Sequence, residues 1–488
     1  MSRDTVLLIA IALGRLLVHV LTNGHYGFHR DELATLDDAR YLARGYVAYP
    51  PLTPFLARVA LELFGASAAG LRLFGALAQC AAIVLTGLMA REMGGRRWAQ
   101  AAAALAVAIA PVSILWGALF QYSGLDYLWW VLAAYCAACL LRTEDPRWWL
   151  GIGVAIGVGM MTRYTMGFLA IGITGGVLLT PARRNLRSKW LWMGVAASLL
   201  IFLPNLVWQA QHNLISVDFL RYLHARDVRI GRADGFLVKQ LFVPANPFTM
   251  PLWVAGLWFY FATPSGKRYR LLGWMFAIPF VLFAIAKGRE YYTAGSYPML
   301  FGGGAVWAEQ WIASRRALAG IALVLGAAFG AILVPIGSVN SWWWNHVASR
   351  IDDFREEIGW PELVETVAGI RDTLPAEERQ GLGILAGNYG EAGAINLYSP
   401  EYGLPKATSG VNSYWLRGYG DPPPRTLIVV GLSRAALDRY FESCEVAGHV
   451  SNRYGVKNEE TQEHPDIFVC RGLRQSWPEF WKQFRRFG

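Results

Sequence analysis

Residues 68–90 read AAGLRLFGALAQCAAIVLTGLMA, and the basic segment REMGGRR follows at once over 91–97. As an α-helix the first run is about 34 Å long, enough to cross ~30 Å of hydrocarbon. It is continuous and rich in Leu and Ala without period-2 alternation, so the expected element is a helix and not a barrel strand. The compact basic segment closing it is the kind of connection that stays on the cytoplasmic side.

About eleven such apolar stretches are expected: Thr5–Thr22, Ala68–Ala90, Trp98–Leu115, Leu125–Leu141, Trp148–Met161, Tyr164–Thr180, Trp190–Trp208, Thr249–Phe261, Leu271–Ala286, Thr293–Ile312 and Ala317–Ile336. The fifth and sixth are short and read as a tilted pair or one interrupted element. The first lacks a small-x-small cleavage site and is read as an anchor. Composition agrees. Charged residues make up 16% of the 488-residue chain, hydrophobic residues 54%, and there are 21 Trp; a soluble chain carries about 25% charge. Disorder, fibrous repeats, a disulfide scaffold and an ordinary cytosolic enzyme are excluded as classes. The net charge of +10 lies in short clusters between apolar segments, which points to loops near anionic headgroups and away from nucleic acid.

Those clusters are Arg91–Arg97, Arg142–Arg147, Arg183–Lys189, Lys267–Arg270 and Arg315–Arg316. Eleven spans with a cytoplasmic amino terminus put all five on one side. The loops near 23–67, 116–124, 209–247 and 287–292, the break at 161–164 and the tail after Gly337 then share the outer side. The expected architecture is a polytopic α-helical membrane domain, residues 1–340, with a C-terminal extracytoplasmic α/β domain, residues 341–488. In the tail, Arg355–Thr373 and Arg434–Cys444 read as helices, and Gly383–Ala386, Thr426–Gly431 and Ile467–Cys470 as buried strands. Cys80, Cys136 and Cys139 fall within spans and read as packing residues. Whether Cys444 and Cys470 are bonded is open, since sequence does not report their separation.

The candidate chemistry lies on the outer side. Asp31 and Glu32, in Gly27-Phe28-His29-Arg30-Asp31-Glu32-Leu33, follow the first span; a carboxylate at an apolar boundary gains basicity, as a general base requires. The alternative is a pair of helix-start carboxylates favoured by the helix dipole. Asp126 opens the fourth span on the same side and needs water, a cation or a basic partner. Arg163 and the loop Lys287-Gly288-Arg289-Glu290-Tyr291-Tyr292 place cations where the orientation rule expects few. Lys as a point charge, Arg as a bidentate donor and Tyr hydroxyls suit a phosphate; an interfacial aromatic-and-basic belt is the alternative. Tyr49 and His212 are candidates for lining the cavity, although a lone His is more often hydrogen-bonded at an interface. Arg15 and His19 stand inside the first span, where ionisable groups are costly unless paired. No zinc cluster, Walker loop or dinucleotide fingerprint is present, and Gly302-Gly303-Gly304 reads as a close-packing site.

In their order and topological side, His29–Leu33, Tyr49-Pro50-Pro51-Leu52, Thr162-Arg163-Tyr164, Asn246-Pro247-Phe248-Thr249, Lys287–Tyr292 and Tyr297-Pro298 resemble the GT-C glycosyltransferases. The resemblance is to the family 39-like group that includes protein O-mannosyltransferases and lipid A aminoarabinose transferases. Asn388–Ala394 and Asn412-Ser413-Tyr414-Trp415 resemble a subgroup of the same proteins. In the aminoarabinose transferases a Glu-Lys pair, associated with metal and donor phosphate, precedes Pro-Pro; Ala48 and Tyr49 stand there here. The resemblance implies an inverting transferase in the cell (inner or plasma) membrane that uses a polyprenyl-phosphate sugar donor and a lipid, glycan or protein acceptor. Asp31 would be the base, Glu32 and Asp126 would orient hydroxyls, and Arg163, Lys287, Arg289, Tyr291 and Tyr292 would meet the phosphate. No cofactor is called for, and a divalent metal is left open. A lipid-linked sugar transporter or flippase is the rival class; it predicts inverted repeats and mid-membrane charges.

Overall fold

The computed structural model describes residues 2–488, apart from the side chains at positions 310, 311, 313 and 316; the second residue of the Arg315–Arg316 connection therefore falls outside the described side chains. The helical part comprises α1 (Arg3–Thr22), α2 (Arg30–Asp38), α3 (Leu52–Phe64), α4 (Ala68–Glu92), α5 (Arg97–Ala108), α6 (Pro111–Ala118), α7 (Tyr122–Thr143) and α8 (Trp148–Met160). It continues through α9 (Met166–Leu179), α10 (Lys189–Gln211), α11 (Ile215–Arg229), α12 (Phe236–Lys239), α13 (Met250–Ala262), α14 (Arg270–Ile285), α15 (Tyr297–Ser314) and α16 (Arg316–Ala331).

Helices occupy every one of the expected apolar stretches, and they differ in length. Among the described residues five helices are long and apolar enough to cross a membrane, or seven if α5 with α6 (bent 58°) and α9 with the following turn (bent 104°) each count as one. Helix α8 has 13 residues, about 20 Å, against ~30 Å of hydrocarbon. Close approach replaces bulk in several contacts. A Cβ on Gly304 would lie 1.8 Å from the Leu252 carbonyl oxygen, and one on Gly153 2.1 Å from that of Gly194, so the glycine run does serve packing.

The basic connections gather at one end of the bundle. Arg142 pairs with Glu92, Arg184 reaches Glu144 at 3.0 Å, Arg268 reaches it at 3.1 Å, and Glu309 accepts from the Arg96 amide at 3.0 Å. The polar loops and the tail gather at the other end.

There a mixed five-stranded sheet forms from β1 (Leu382–Ala386), β2 (Ala407–Ser409), β3 (Thr426–Val430), β4 (Phe441–His449) and β5 (Asp466–Leu473), in the order β2-β1-β3-β5-β4. The first three strands are parallel and β5 runs antiparallel to β3 and β4. The expected helix Arg434–Cys444 stops at Tyr440, and β4 takes over from Phe441. Buried Phe441 and Cys444 face the core, and β4 is an edge strand whose other residues are mostly exposed, so its pattern was too polar to read as a strand. Cys444 and Cys470 are directly paired across β4 and β5 and form a disulfide. The expected helix Arg355–Thr373 begins only at Trp360, with Pro361 in its first turn.

The sheet domain is not tethered loosely. One apolar core contains Phe28, Leu33 and Leu36 of the first loop, Leu71 and Leu125 of α4 and α7, and Trp360, Ile384, Ala392 and Ile428 of the sheet domain. At its edge lies Arg72, with no exposed surface. Its guanidinium donates to Glu32 at 2.9 and 2.7 Å and to the carbonyls of Asn23 (2.9 Å) and Gly27 (2.8 Å), and pairs with Glu357 at 3.1 Å. Replacing Arg72 by Met leaves two buried carboxylates without their cation and should cost about 3–5 kcal/mol; thermal unfolding of the purified protein reads this directly, and a near-wild-type midpoint would count against the joint.

Two carboxylates share that one cation, and burial, moderated by Arg72, pushes Glu357 up to about 8. Burial likewise pushes Glu391 up to about 7. Unfolded, both titrate near 4.3. Between those values the folded chain holds protons that the unfolded chain has released, so this stability is complete at low pH and is lost as pH rises through about 7–8. The unfolding midpoint should fall from pH 5 to about pH 8.5, and Glu357→Gln should flatten part of that slope; a wild-type midpoint that is level across the range is the contrary result.

Candidate functional site: a carboxylate and a caged arginine at the joint

The α2 helix carries the candidate acids. Its cap is His29, whose Nδ1 accepts from the Asp31 amide at 3.2 Å, while Glu32 accepts from the His29 amide at 2.9 Å. With Nδ1 accepting, the neutral ring carries its proton on Nε2, which faces Asp353 at 3.8 Å. Successive helical residues point about 100° apart, and the two neighbours part company here. Glu32 is fully buried, its oxygens held by Arg72, the His29 amide and the Phe120 amide at 2.8 Å. Asp31 has a side chain 37% exposed. One of its oxygens accepts from the Tyr389 hydroxyl at 2.8 Å and the other from Gln121 at 3.1 Å. Burial and the Asp31 charge push the Tyr389 phenol upward, so it remains a donor and Asp31 remains the acceptor.

Arg163 follows the carboxyl end of α8 and is 8% exposed. Its guanidinium lies over the rings of Tyr292 (4.7 Å), Tyr122 (5.2 Å) and Tyr291 (5.4 Å), an aromatic cage that supports the cation. Asp126 stands 3.9 Å away and accepts from Thr165 at 3.1 Å. Among the described residues the Arg163 side chain makes no hydrogen bond, so its donors are not consumed by the protein. Gln121 and Tyr122 are adjacent in sequence, so the groups contacting Asp31 and Arg163 are successive residues at the start of α7.

The other expected residues are distributed differently. Arg289 is held by Asp227 through two contacts of 2.6 and 2.9 Å and donates to the Tyr291 hydroxyl at 3.0 Å; it supports the cage from behind. Lys287 is exposed, on left-handed backbone (φ 49°), with no ion pair among the described residues. Tyr49 is buried and donates to Asp38 at 2.5 Å. Burial raises Asp38 to about 6, against the lowering effect of Arg417. His212 stacks on Trp208 at 4.0 Å and hydrogen-bonds to its carbonyl at 2.8 Å, so its ring serves its own helix end. His19 bonds to Asn23 at 3.2 Å within the protein. Among the described residues no group of three or more His, Cys, Asp or Glu is arranged to hold a metal, and Ala48 offers no ligand where the resembling proteins carry Glu.

Sequence reasoning passed over Arg72, Tyr389, Asp227 and Arg417. Arg72 lay inside a predicted span, and a basic residue in such a stretch was itself the available signal. Tyr389 stands in the quoted Asn388–Ala394 segment, but nothing local ties it to α2. The geometry explains that segment: a Cβ on Gly393 would lie 2.7 Å from the Leu33 backbone and one on Gly390 2.8 Å from the Arg30 Cβ. Small residues let helix Tyr389–Tyr402 press against α2. Arg417 pairs with both Asp37 and Asp38, clamping the far end of α2 to the sheet domain.

Comparison with known proteins bears on the fold. Residues 48–208 match the family described as dolichyl-phosphate-mannose-protein mannosyltransferase. The lipid A galacturonosyltransferase RgtD of Rhizobium johnstonii is 26% identical over 261 residues, so the match spans about half of each protein, 51% of this chain and 54% of RgtD. The crystal structure of ArnT from Cupriavidus metallidurans bound to undecaprenyl phosphate superposes with a TM-score of 0.56 at 16% identity, covering 95% of this chain and 97% of that one. The mycobacterial arabinofuranosyltransferase AftD gives 0.56 at 15% identity, covering 98% of this chain and 40% of its own. The chain has the GT-C fold, and its sequence relatives are membrane glycosyltransferases of that group.

Proposed function

We propose that the protein is an inverting glycosyltransferase that moves a monosaccharide from a polyprenyl-phosphate donor to an acceptor hydroxyl. The observation that carries this reading is the pairing of a half-open carboxylate, Asp31, with a tyrosine-caged arginine, Arg163, through the successive residues Gln121 and Tyr122. Asp31 takes the acceptor proton as the acceptor oxygen attacks the anomeric carbon. The bond from that carbon to the phosphate oxygen breaks, and its electrons pass to the lipid phosphate. The transition state carries oxocarbenium character. Charge grows on the departing phosphate, and Arg163 is the group poised to meet it, with Asp126 orienting its guanidinium. Tyr291 and Tyr292 complete the cage, Arg289 braces it, and Lys287 is free to approach the phosphate from the loop. Glu32 acts through position, holding α2 on Arg72.

The site and the sheet domain are assigned to the extracytoplasmic side of the cell membrane, with the five basic connections inside. This follows from the charge bias of the loops and from their segregation to opposite ends of the bundle. The acceptor is a lipid, glycan or protein hydroxyl. Bound undecaprenyl phosphate in ArnT supports the donor class.

Two substitutions test the reading in purified protein supplied with radiolabelled polyprenyl-phosphate sugars and a panel of envelope acceptors. Asp31→Asn should lower turnover about 10²–10⁴-fold with an unchanged unfolding midpoint; near-normal transfer refutes the base. Arg163→Ala should lower kcat/KM for the donor by about 10²-fold or more, with Arg163→Lys recovering part of it; donor kinetics indifferent to both changes remove Arg163 from the phosphate.

A further inference from the structure

The sheet domain holds a crevice of about 230 Å³ whose lining includes neither Asp31 nor Arg163. It opens at the carboxyl ends of β1 and β3, between Gly387-Asn388 and Gly431-Leu432-Ser433. The chain leaves β1 through helix Tyr389–Tyr402 toward β2, and leaves β3 through helix Arg434–Tyr440 toward β4, on the opposite side of the sheet. That divergence is a topological switch point, where open α/β sheets bind ligands. The anion position usual in such crevices is already filled: the Glu391 carboxylate accepts from the Gly387 and Asn388 amides, both at 3.1 Å, and packs where a Cβ on Gly431 would lie. Glu459 and Glu463 line the crevice beside it, together with His464 and Arg486.

Glu460 is the informative residue. It is 4% exposed, lines the crevice, and neither carboxyl oxygen has a hydrogen-bond partner among the described residues. Arg30 pairs with neighbouring Glu459 and lies 3.7 Å from Glu356, so the nearby cation is already engaged. Burial and the Glu356 charge push Glu460 up to about 8. A buried carboxyl group without a partner represents a cost that a hydrogen-bonding ligand removes, and Asn388, Ser433, His464 and Arg486 supply donors in the same lining. With no grouping among the described residues fit for a metal ion, and with acceptors and donors side by side in the lining, the crevice suits a neutral ligand with several hydroxyls.

We propose that this crevice is a carbohydrate-binding site, with Glu460 accepting hydrogen bonds from sugar hydroxyls and Ser433, Asn388 and His464 lining the rest. Resting on the transferase reading, its occupant is the glycan portion of the acceptor. Arg30, bound to Glu459 at the crevice wall, directly precedes Asp31, so the site adjoins the helix that carries the base.

The test is saturation-transfer NMR on the full-length detergent-solubilised protein, with glucose, galactose, mannose and N-acetylglucosamine as probes. At least one sugar should bind without donor. Ala436→Trp, which fills the crevice from the face of its helix, and Glu460→Gln should each weaken that sugar about tenfold or more, with unchanged unfolding midpoints, while Asp31→Asn binds as wild type. Binding by none of the four sugars, binding indifferent to Ala436→Trp, or a Glu460-dependent response to Ca²⁺ or Mg²⁺ without sugar binding would each overturn the site. Sugar binding in a protein that transfers nothing from any lipid donor leaves the crevice standing and removes only its link to an acceptor.

Discussion

A guanidinium sealed from water organises this molecule. Arg72 projects from α4 into a space shared by the first loop, the start of α7 and the sheet domain, and its partners come from the first loop and from the sheet domain. Taking such a charge out of water is costly, and only excellent geometry with counter-charges compensates. The bond pattern meets that requirement by closing around two carboxylates and two carbonyls. Satisfying Arg72 thus demands that the loop fold back over the bundle and that the sheet domain dock upon it. Asp31 occupies its place because Glu32, its neighbour, is committed to that cation.

The α2 helix is consequently held along its whole length. Its first turn is capped by His29 and anchored by Glu32, its middle is pressed by Gly393, and its last turn is clamped through Asp37 and Asp38 to Arg417. Rigid support of this kind lets a half-exposed carboxylate keep one orientation. The sheet domain also reaches directly to Asp31, through the Tyr389 hydroxyl. Removing it would strip the candidate base of a hydrogen-bond partner as well as a cover. The cage around Arg163 follows the same logic: three rings and a loose carboxylate hold the cation without consuming its donors.

Much of this was open to reading from composition and order alone. Helices lie at each apolar stretch, the basic connections gather at one end, and the acids and cations gather at the other. Hydropathy marked where each helix lies and not how long it is: α8, read as a span, has 13 residues. β4 was missed because an edge strand exposes most of its residues. His212 and Tyr49 lie near polar loops, but their partners, Trp208 and Asp38, decide what their rings do.

By itself the chain order determined what each segment had to be. Long apolar runs leave backbone polar groups no solution in lipid but the helix, and clustered Arg and Lys dictate which loops share a side. Tertiary structure alone decided which of two adjacent acids is buried and which is open, since a helical step of about 100° means nothing until the packing face is known. It likewise brought Tyr389 across 358 residues to Asp31, joined Arg417 to α2, and left Glu460 in a crevice without a partner among the described residues. Hydrogen bonds and ion pairs act over a few ångströms of space, and spacing along the chain carries no record of such distances.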